Sequence, residues 1–174
     1  VKILKKHRIT FAVIVPSILS FLKEYLDDLR LDDITTTIFT AEASYHDLIE
    51  KWSACVPNSK IVNLYGPTEA TIWCLSYFWD KEVDPYNGMI PIGNSFTAIE
   101  TILVNKEDAI VEEQNEMGEL CIFGGQITSG YWKDDAKNEQ AFVNIEVNGK
   151  TKRFYRTGDL SYRTQSGIYM YCGR

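Results

Sequence analysis

Short apolar runs alternate with amphipathic stretches through the first 65 residues, and this alternation restricts the possible folds more than any other feature of the sequence. Ile9 to Val15, Thr35 to Phe39 and Lys60 to Leu64 are rich in β-branched and aromatic residues and have the length of buried strands. Between them we predict helices from Ile18 to Leu29, where apolar residues recur every three or four positions, and from Tyr45 to Ala54. Strands that alternate with helices pair in parallel, so the sequence predicts a Rossmann-like, layered α/β subdomain.

The pattern changes in the second half of the chain, where short alternating runs are separated by turn residues. Ala70 to Trp79 alternates and predicts a strand, and Asn148-Gly149 provides the pair with positive φ that a type I′ hairpin requires. The runs beyond Pro85 are Glu100–Val104, Glu119–Phe123, Ala141–Val147, Lys152–Arg156 and Ile168–Cys172. We therefore predict a mostly antiparallel β subdomain and divide the chain into domains at residues 1–85 and 86–174.

Charge and composition exclude several classes of protein. The 174 residues have a net charge of -6 and a pI of about 5.0, which argues against a nucleic acid polymer as a partner. The longest apolar run, Phe11 to Val15, is too short to predict a membrane span. The four cysteines are widely spaced and signal neither a zinc site nor a disulfide framework, so we expect a reducing, cytoplasmic protein. Because the chain lacks an initiator Met, we interpret it as a segment of a longer protein.

The most informative motif is NLYGPTEAT, residues 63–71, at the end of the third predicted strand. Gly66 has no Cβ, so the backbone can bend sharply before Pro67 and approach a ligand closely. Thr68 and Glu69 then present a hydroxyl donor beside a carboxylate, a pair that suits a magnesium-bound phosphate. Tyr65 offers a flat face for a base. The alternative interpretation is an ordinary Gly-Pro turn.

Two later motifs add to this interpretation. In YRTGDL, residues 155–160, Asp159 follows a strand, and a single carboxylate can accept hydrogen bonds from both hydroxyls of a ribose. The alternative is a solvated Thr-Gly-Asp turn. For GELCIFGGQITSGYW, residues 118–132, we favour a structural role, with Tyr131 and Trp132 packed in a core.

These motifs, in this order, resemble the adenylate-forming enzymes, specifically the amino-acid adenylation domains of nonribosomal peptide synthetases and the D-alanine carrier-protein ligases. NLYGPTEAT, IPIG, GELCIFGG with GYW, YRTGDL and the terminal Gly173-Arg174 look like consecutive blocks of that family across nearly the whole chain. The competing phosphate motifs G-x-x-x-x-G-K-[ST] and G-x-G-x-x-G are absent from the sequence. The resemblance implies ATP and magnesium as cofactors, and a distorted, barrel-like second subdomain.

The resemblance also implies a role for each matching residue. Thr68 would contact the α-phosphate and Glu69 the magnesium ion, and these two are the predicted catalytic residues. The predicted nucleotide-binding residues are Asn63 at the adenine amino group, Tyr65 against the ring, Gly66 in the bend, Ala41 beside the adenine, Asp159 at the ribose, Tyr171 near the nucleotide, and Arg174 at the ribose and phosphate. Ala41 lies in Thr-Ala-Glu-Ala, which looks like the Gly-Gly-Glu-Ala turn of the family. Its methyl group replaces a hydrogen where backbone approaches the base.

The same alignment assigns four residues to the wall of the substrate pocket: Thr40, Leu64, Ile72 and Trp73. Trp73 would fill much of such a pocket, so we hypothesise a substrate with a small side chain. The implied partners are a carboxylic acid, with an amino acid favoured, and a phosphopantetheinyl carrier protein that accepts the acyl group.

The family has parts that this chain does not contain. Its Ser/Thr/Gly-rich phosphate loop and the aspartate that pairs with the substrate ammonium should lie upstream of residue 1, and the C-terminal domain with its catalytic lysine should follow residue 174. We therefore expect the isolated fragment to be inactive. Two alternatives stay open: an acyl-CoA or aryl-acid ligase of the same superfamily, and a non-catalytic nucleotide-binding or β-rich binding module.

Overall fold

A computed structural model describes residues 2–174, which form two compact units. The first unit comprises the chain up to Tyr65 together with residues 76–93, and the second comprises residues 66–75 and 94–174. The predicted boundary at residue 85 therefore falls inside the 76–93 segment of the first unit. Val1, the first residue of the predicted first domain, lies outside the described residues.

The first unit is built on a mixed sheet whose first three strands are parallel. Strands β1 (Phe11–Ile14), β2 (Thr36–Thr40) and β3 (Lys60–Tyr65) are adjacent and parallel, and β4 (Leu75–Phe78) follows β3 in the strand order. Three α-helices belong to this unit: α1 (Lys2–Lys6), α2 (Ser17–Leu22) and α3 (His46–Cys55). The parallel arrangement and the three strands predicted from the alternating pattern are confirmed.

The core of the first unit lies between the helices and the sheet. Helix α3 buries Leu48, Ile49, Trp52 and Cys55, a spacing that places all four on one face. The indole N–H of Trp52 donates a hydrogen bond to the Thr37 hydroxyl on β2 at 3.2 Å, which satisfies both buried polar groups. This packing fixes the carboxyl ends of β2 and β3, where residues 40 and 63–65 lie.

The second unit is an open antiparallel sheet. Its order is β10 (Tyr169–Gly173), β9 (Lys150–Arg163), β7 (Met117–Gly124) and β6 (Ile99–Val104), and β8 (Phe142–Val147) pairs with the first half of β9. The remaining elements are the short strand β5 (Asn94–Ser95) and helix α4 (Asp135–Ala141). Antiparallel β structure is confirmed, whereas the barrel-like closure is not: β6 and β10 occupy opposite ends of the strand order.

Several local predictions were wrong. The helix predicted from Ile18 to Leu29 ends at Leu22 and continues as one 3-10 turn to Tyr25. The predicted strand from Ala70 to Trp79 is a strand only from Leu75 to Phe78. Trp132 is 87% exposed and does not pack in a core. The turn at Asn148-Gly149 is confirmed, since both residues have positive φ values of 53° and 72°.

Candidate functional site

The segment after β3 turns tightly on itself, and we name residues 68–73 the Glu69 turn. A 3-10 helix spans Thr68–Ala70, and the N–H of Ile72 donates to the carbonyl of Ala70 at 2.8 Å. Thr71, between them, has φ 68° and ψ −59°, the geometry of a classic γ-turn. This conformation is rare for a β-branched residue and costs of order 1–3 kcal/mol, so the surrounding structure must hold it.

Gly66 enters this turn at a position where no side chain fits. A Cβ atom at residue 66 would lie 1.7 Å from the carbonyl oxygen of Ile72 and 2.8 Å from the Cα of Trp73. The sequence predicts a sharp bend at this glycine and a close approach of its backbone to a ligand. In the structure, however, the group that approaches it is the backbone of the same turn.

Glu69 is held by Tyr131, which follows β7, and by Tyr155 on β9. The hydroxyl of Tyr131 donates to its Oε1 at 2.5 Å. Burial alone would raise the pKa of Glu69. The pKa is nevertheless lowered below its ordinary value, because the carboxylate accepts hydrogen bonds from Tyr131, from its own backbone and from Tyr155, and because Lys137 adds a positive charge nearby. The carboxylate is therefore ionised at neutral pH. Tyr131, for which we predicted core packing, is half-buried and instead orients this carboxylate.

Thr68, the predicted phosphate ligand, is exposed, and no protein partner for its hydroxyl is found among residues 2–174. Its hydroxyl is therefore available to a ligand. Thr68 and Glu69 are adjacent in the 3-10 helix, which provides a free hydroxyl donor beside an ionised carboxylate.

Asp159 lies in a bulge of β9, where the sequence predicts a turn. Between the pairs Cys121↔Arg156 and Glu119↔Leu160, β9 contains two more residues than β7, and Gly158 has φ 71°. The N–H of Asp159 donates to the hydroxyl of Thr157 at 3.0 Å, and this hydroxyl donates to the carbonyl of Leu120 at 2.7 Å. The bulge is therefore a fixed feature of the strand.

The Asp159 carboxylate is almost completely buried and forms an ion pair. Its side chain is 8% exposed, and the Arg174 Nε donates to its Oδ1 at 2.8 Å, while the Arg174 side chain is 75% exposed. A buried carboxylate requires such a partner. The structure thus brings together two predicted site residues that are separated by 15 positions. Tyr171 lies on the neighbouring strand β10, where it pairs with Ser161.

Asn63 lies in the first unit, buried on β3. Its Oδ1 accepts a hydrogen bond from the hydroxyl of Ser44 at 2.9 Å, and its Nδ2 donates to the carbonyl of Pro91 at 2.8 Å. The sequence analysis missed Ser44 as its partner. Tyr65, at the end of the same strand, is half-buried.

The turn after β2 contains Ala41, which is exposed and has φ 73°. This left-handed conformation favours glycine over any residue with a Cβ. Glu42 anchors the turn, because its carboxylate accepts hydrogen bonds from the backbone N–H and the hydroxyl of Ser17 at 2.9 and 3.1 Å.

The four predicted pocket residues are divided between the two units. Thr40 and Leu64 belong to the first, where Thr40 is half-buried and Leu64 is buried. Ile72 and Trp73 belong to the second, where Ile72 is 53% exposed and Trp73 is half-buried.

Comparison with known proteins defines the class. Residues 1–132 match the family described as AMP-binding enzyme, and the match covers most of the 174 residues. The chain therefore belongs to the AMP-binding enzymes. Among residues 2–174, no helix is long and apolar enough to cross a bilayer.

Individual relatives are considerably longer than this chain. A component of the linear gramicidin synthase of Brevibacillus parabrevis is 35% identical over 169 residues, covering 97% of this chain and 3% of that protein. D-alanine--D-alanyl carrier protein ligase of Bacillus cereus is 31% identical over 144 residues, covering 83% of this chain and 27% of that protein. This chain thus spans under a third of either relative.

Solved structures confirm the fold. The Vibrio cholerae adenylation domain AlmE in complex with glycyl-adenosine-5'-phosphate has a TM-score of 0.87 at 24% identity, covering 99% of this chain and 32% of that chain. An NRPS protein containing adenylation and PCP domains has a TM-score of 0.86 at 22% identity, covering 99% of this chain and 34% of that chain. At these identities the likeness establishes the architecture alone.

Proposed function

We propose that this chain is part of an ATP-dependent, AMP-forming ligase that activates an amino acid as its aminoacyl-adenylate. The acyl group would then pass to the phosphopantetheine thiol of a carrier protein. Membership of the AMP-binding enzymes supports the first step. The names of the carrier-protein ligase and of the adenylation–PCP structure support the second.

One observation carries the proposal: Glu69 and Asp159 are both tied to strand β9. The Tyr155 hydroxyl interacts with Glu69 and helps to keep it ionised, and Asp159 follows Tyr155 by four residues on the same strand. Four extended residues span at most about 13 Å. Both carboxylates therefore belong to a single part of the second unit, as one small nucleotide would require.

We assign the two ends of the nucleotide as follows. Asp159 would accept hydrogen bonds from the two ribose hydroxyls, and Arg174, already paired with it, would contact the ribose and phosphate. The free hydroxyl of Thr68 would donate to an oxygen of the α-phosphate. Tyr171, on the strand beside Asp159, would lie near the nucleotide.

The adenine contacts are assigned to Asn63, Tyr65 and Ala41. The Oδ1 of Asn63 accepts one hydrogen bond from Ser44, and its second lone pair would accept from the adenine amino group. Tyr65 would stack on the ring, and the left-handed turn at Ala41 would place backbone beside the base. Gly66 would support the site indirectly, by permitting the tight path of the Glu69 turn.

The residues around Glu69 fit a magnesium ion that arrives with the nucleotide. Among residues 2–174, no group of three or more His, Cys, Asp or Glu side chains that could hold a metal ion is found. Magnesium is typically bound through one or two carboxylates together with substrate phosphates and water, and an ionised Glu69 meets that requirement. When bound, the ion would neutralise charge on the phosphates and on departing pyrophosphate.

The residues of this chain would act mainly by positioning and by charge stabilisation. A carboxylate oxygen of the acid forms a bond to the α-phosphorus, and the bond from that phosphorus to the bridging oxygen breaks, releasing pyrophosphate with the electron pair. Thr68 and Arg174 would hold the α-phosphate as charge develops. In the second step, a thiolate adds to the acyl carbon and AMP leaves.

The identity of the acid is proposed from the four pocket residues. Thr40, Leu64, Ile72 and Trp73 would line the acyl pocket, and the Trp73 indole would restrict it to a small side chain. The name of the structure with glycyl-adenosine-5'-phosphate supports a small substrate, as does that of the D-alanine ligase.

Amino-acid-dependent ATP–pyrophosphate exchange tests the proposal in the full-length protein. We expect exchange with a small amino acid, a loss of about 100-fold or more in Glu69→Gln, and unchanged exchange in Glu113→Gln, whose carboxylate is exposed. Exchange with aryl or fatty acids instead would favour the alternative ligases, and preference for a large aromatic amino acid would exclude the small pocket. The isolated 174-residue chain should show no exchange, because it spans under a third of its relatives.

A further inference from the structure

One loop forms hydrogen bonds to the Glu69 turn at several points. This loop, residues 126–131, follows β7, and we name it the clasp. Five hydrogen bonds join it to the turn: Gln126 Nε2 to the carbonyls of Ala70 (2.6 Å) and Trp73 (2.8 Å), Thr71 Oγ1 to the carbonyl of Gln126 (2.7 Å), Thr128 N to the carbonyl of Glu69 (2.8 Å), and Tyr131 hydroxyl to Glu69 Oε1 (2.5 Å).

The bonds from Gln126 surround the strained residue of the turn. Its amide reaches the carbonyls on both sides of Thr71, and its own carbonyl accepts from the Thr71 hydroxyl. A γ-turn centred on a β-branched residue persists only where its surroundings determine it. Residue 126 lies 55 positions along the chain from Thr71, so the conformation is imposed by tertiary structure.

Tyr131 is itself fixed from the other side. Its backbone N–H donates to the Asn138 Oδ1 at 2.7 Å, and its carbonyl accepts from the Asn138 Nδ2 at 3.0 Å. The Lys137 ammonium lies 3.8 Å from the centre of its ring. Both residues belong to helix α4, so the hydroxyl that bonds Glu69 is held by a regular element and not by a free loop.

We propose that the clasp presets the Glu69 carboxylate for its metal ion, with Tyr131 and Gln126 as positioning residues. This inference rests on the proposed function, because it takes Glu69 as the magnesium ligand. Tyr131 occupies Oε1 of the carboxylate, and the ion would bind the carboxylate through a remaining lone pair. Gln126 would keep the backbone of the turn in the conformation that orients this carboxylate. Partners that orient a metal ligand typically change metal affinity by about 10-fold to 100-fold when they are removed.

Tyr131→Phe tests the orienting bond in the full-length protein, with Tyr169→Phe as the matched control. Tyr169 is buried in the same unit, and its hydroxyl donates to the carbonyl of Thr101 at 3.2 Å, so both variants lose one hydroxyl bond. We expect Tyr131→Phe to raise the magnesium concentration for half-maximal exchange about tenfold, with an unchanged KM for the amino acid. Electron paramagnetic resonance of Mn²⁺ in the presence of ATP should show the same weakening without turnover. Tyr169→Phe should change neither value.

Gln126→Glu tests the backbone bonds, with Gln165→Glu as its control on an exposed residue. A carboxylate at 126 would face two carbonyl oxygens and could not donate to either. We expect faster amide hydrogen exchange in residues 68–73 of Gln126→Glu and no change there in Gln165→Glu.

The outcomes separate the two claims. Wild-type protein without amino-acid-dependent exchange would refute the proposed function. Active wild-type protein with an unchanged magnesium requirement in Tyr131→Phe, or with unchanged amide exchange in Gln126→Glu, would refute the clasp and leave the proposed function standing.

Discussion

Replacing Gly66 with alanine should be among the most destabilising single changes in the second unit. The new methyl group would lie 1.7 Å from the Ile72 carbonyl oxygen, whereas side-chain Cβ atoms in proteins keep at least 3.0 Å, so the backbone must move by at least 1.3 Å (3.0 − 1.7). Overpacking of this kind costs about 1–3 kcal/mol. The shift would also break both bonds that Gln126 donates to the turn, at about 1 kcal/mol each. We therefore expect the free energy of unfolding to fall by about 3–5 kcal/mol.

Urea unfolding of the chain, followed by tryptophan fluorescence, measures this loss. With an m value of about 2 kcal/mol/M, the midpoint should fall by about 1.5–2.5 M. Gly125→Ala is the control, because a Cβ there meets nothing within 4 Å and the residue does not require a positive φ. It should be neutral or stabilising by up to about 1 kcal/mol. Equal midpoints for the two variants would refute the close approach of Gly66 to Ile72.

Three further predictions use residues elsewhere in the chain. Ala41→Gly should stabilise the protein by about 0.5–1 kcal/mol in the same assay, since it removes a left-handed alanine; destabilisation would contradict the assigned φ. Asp159→Asn should weaken ATP binding about tenfold or more in calorimetry of the full-length protein, whereas Asp33→Asn, which removes an exposed ion pair, should not; equal affinities would exclude Asp159 from the site. Burial raises the pKa of the Cys74 thiol from 9.0 to about 12, so the folded chain retains a proton that the unfolded chain releases near pH 9. This one thiol should lower the free energy of unfolding by up to about 1.4 kcal/mol per pH unit from about pH 9 to pH 12, so the total fall should be smaller in Cys74→Ala; equal slopes would contradict the raised pKa.

The regular elements that bury an apolar face were predictable from the sequence. Strands β1, β2 and β3 and helix α3 agree with the prediction to within about two residues, because their apolar periodicity reflects burial in one core. Helix α4 was missed because it buries no residue and so has no apolar period. Its signal is the N-cap: Asp134 accepts a hydrogen bond from the N–H of Lys137 at 3.1 Å.

The candidate site was predictable only in part. The sequence predicts Thr68, Glu69 and Asp159 as site residues by their chemistry, and the structure joins Asp159 to Arg174. No local pattern in the sequence indicates that Tyr131 orients Glu69, because that contact joins residues 62 positions apart. The γ-turn was likewise hidden, since alternation from Ala70 onward is also the pattern of a strand, and only tertiary bonds from the clasp decide between the two.

The crystal structure of the full-length protein with a nonhydrolysable aminoacyl-adenylate analogue and magnesium would test the central claim most directly. We predict that both ribose hydroxyls lie within about 3.2 Å of the Asp159 carboxylate, and that the Glu69 carboxylate binds the ion directly or through water. An analogue bound away from β9, with Asp159 paired only to Arg174, would contradict the account.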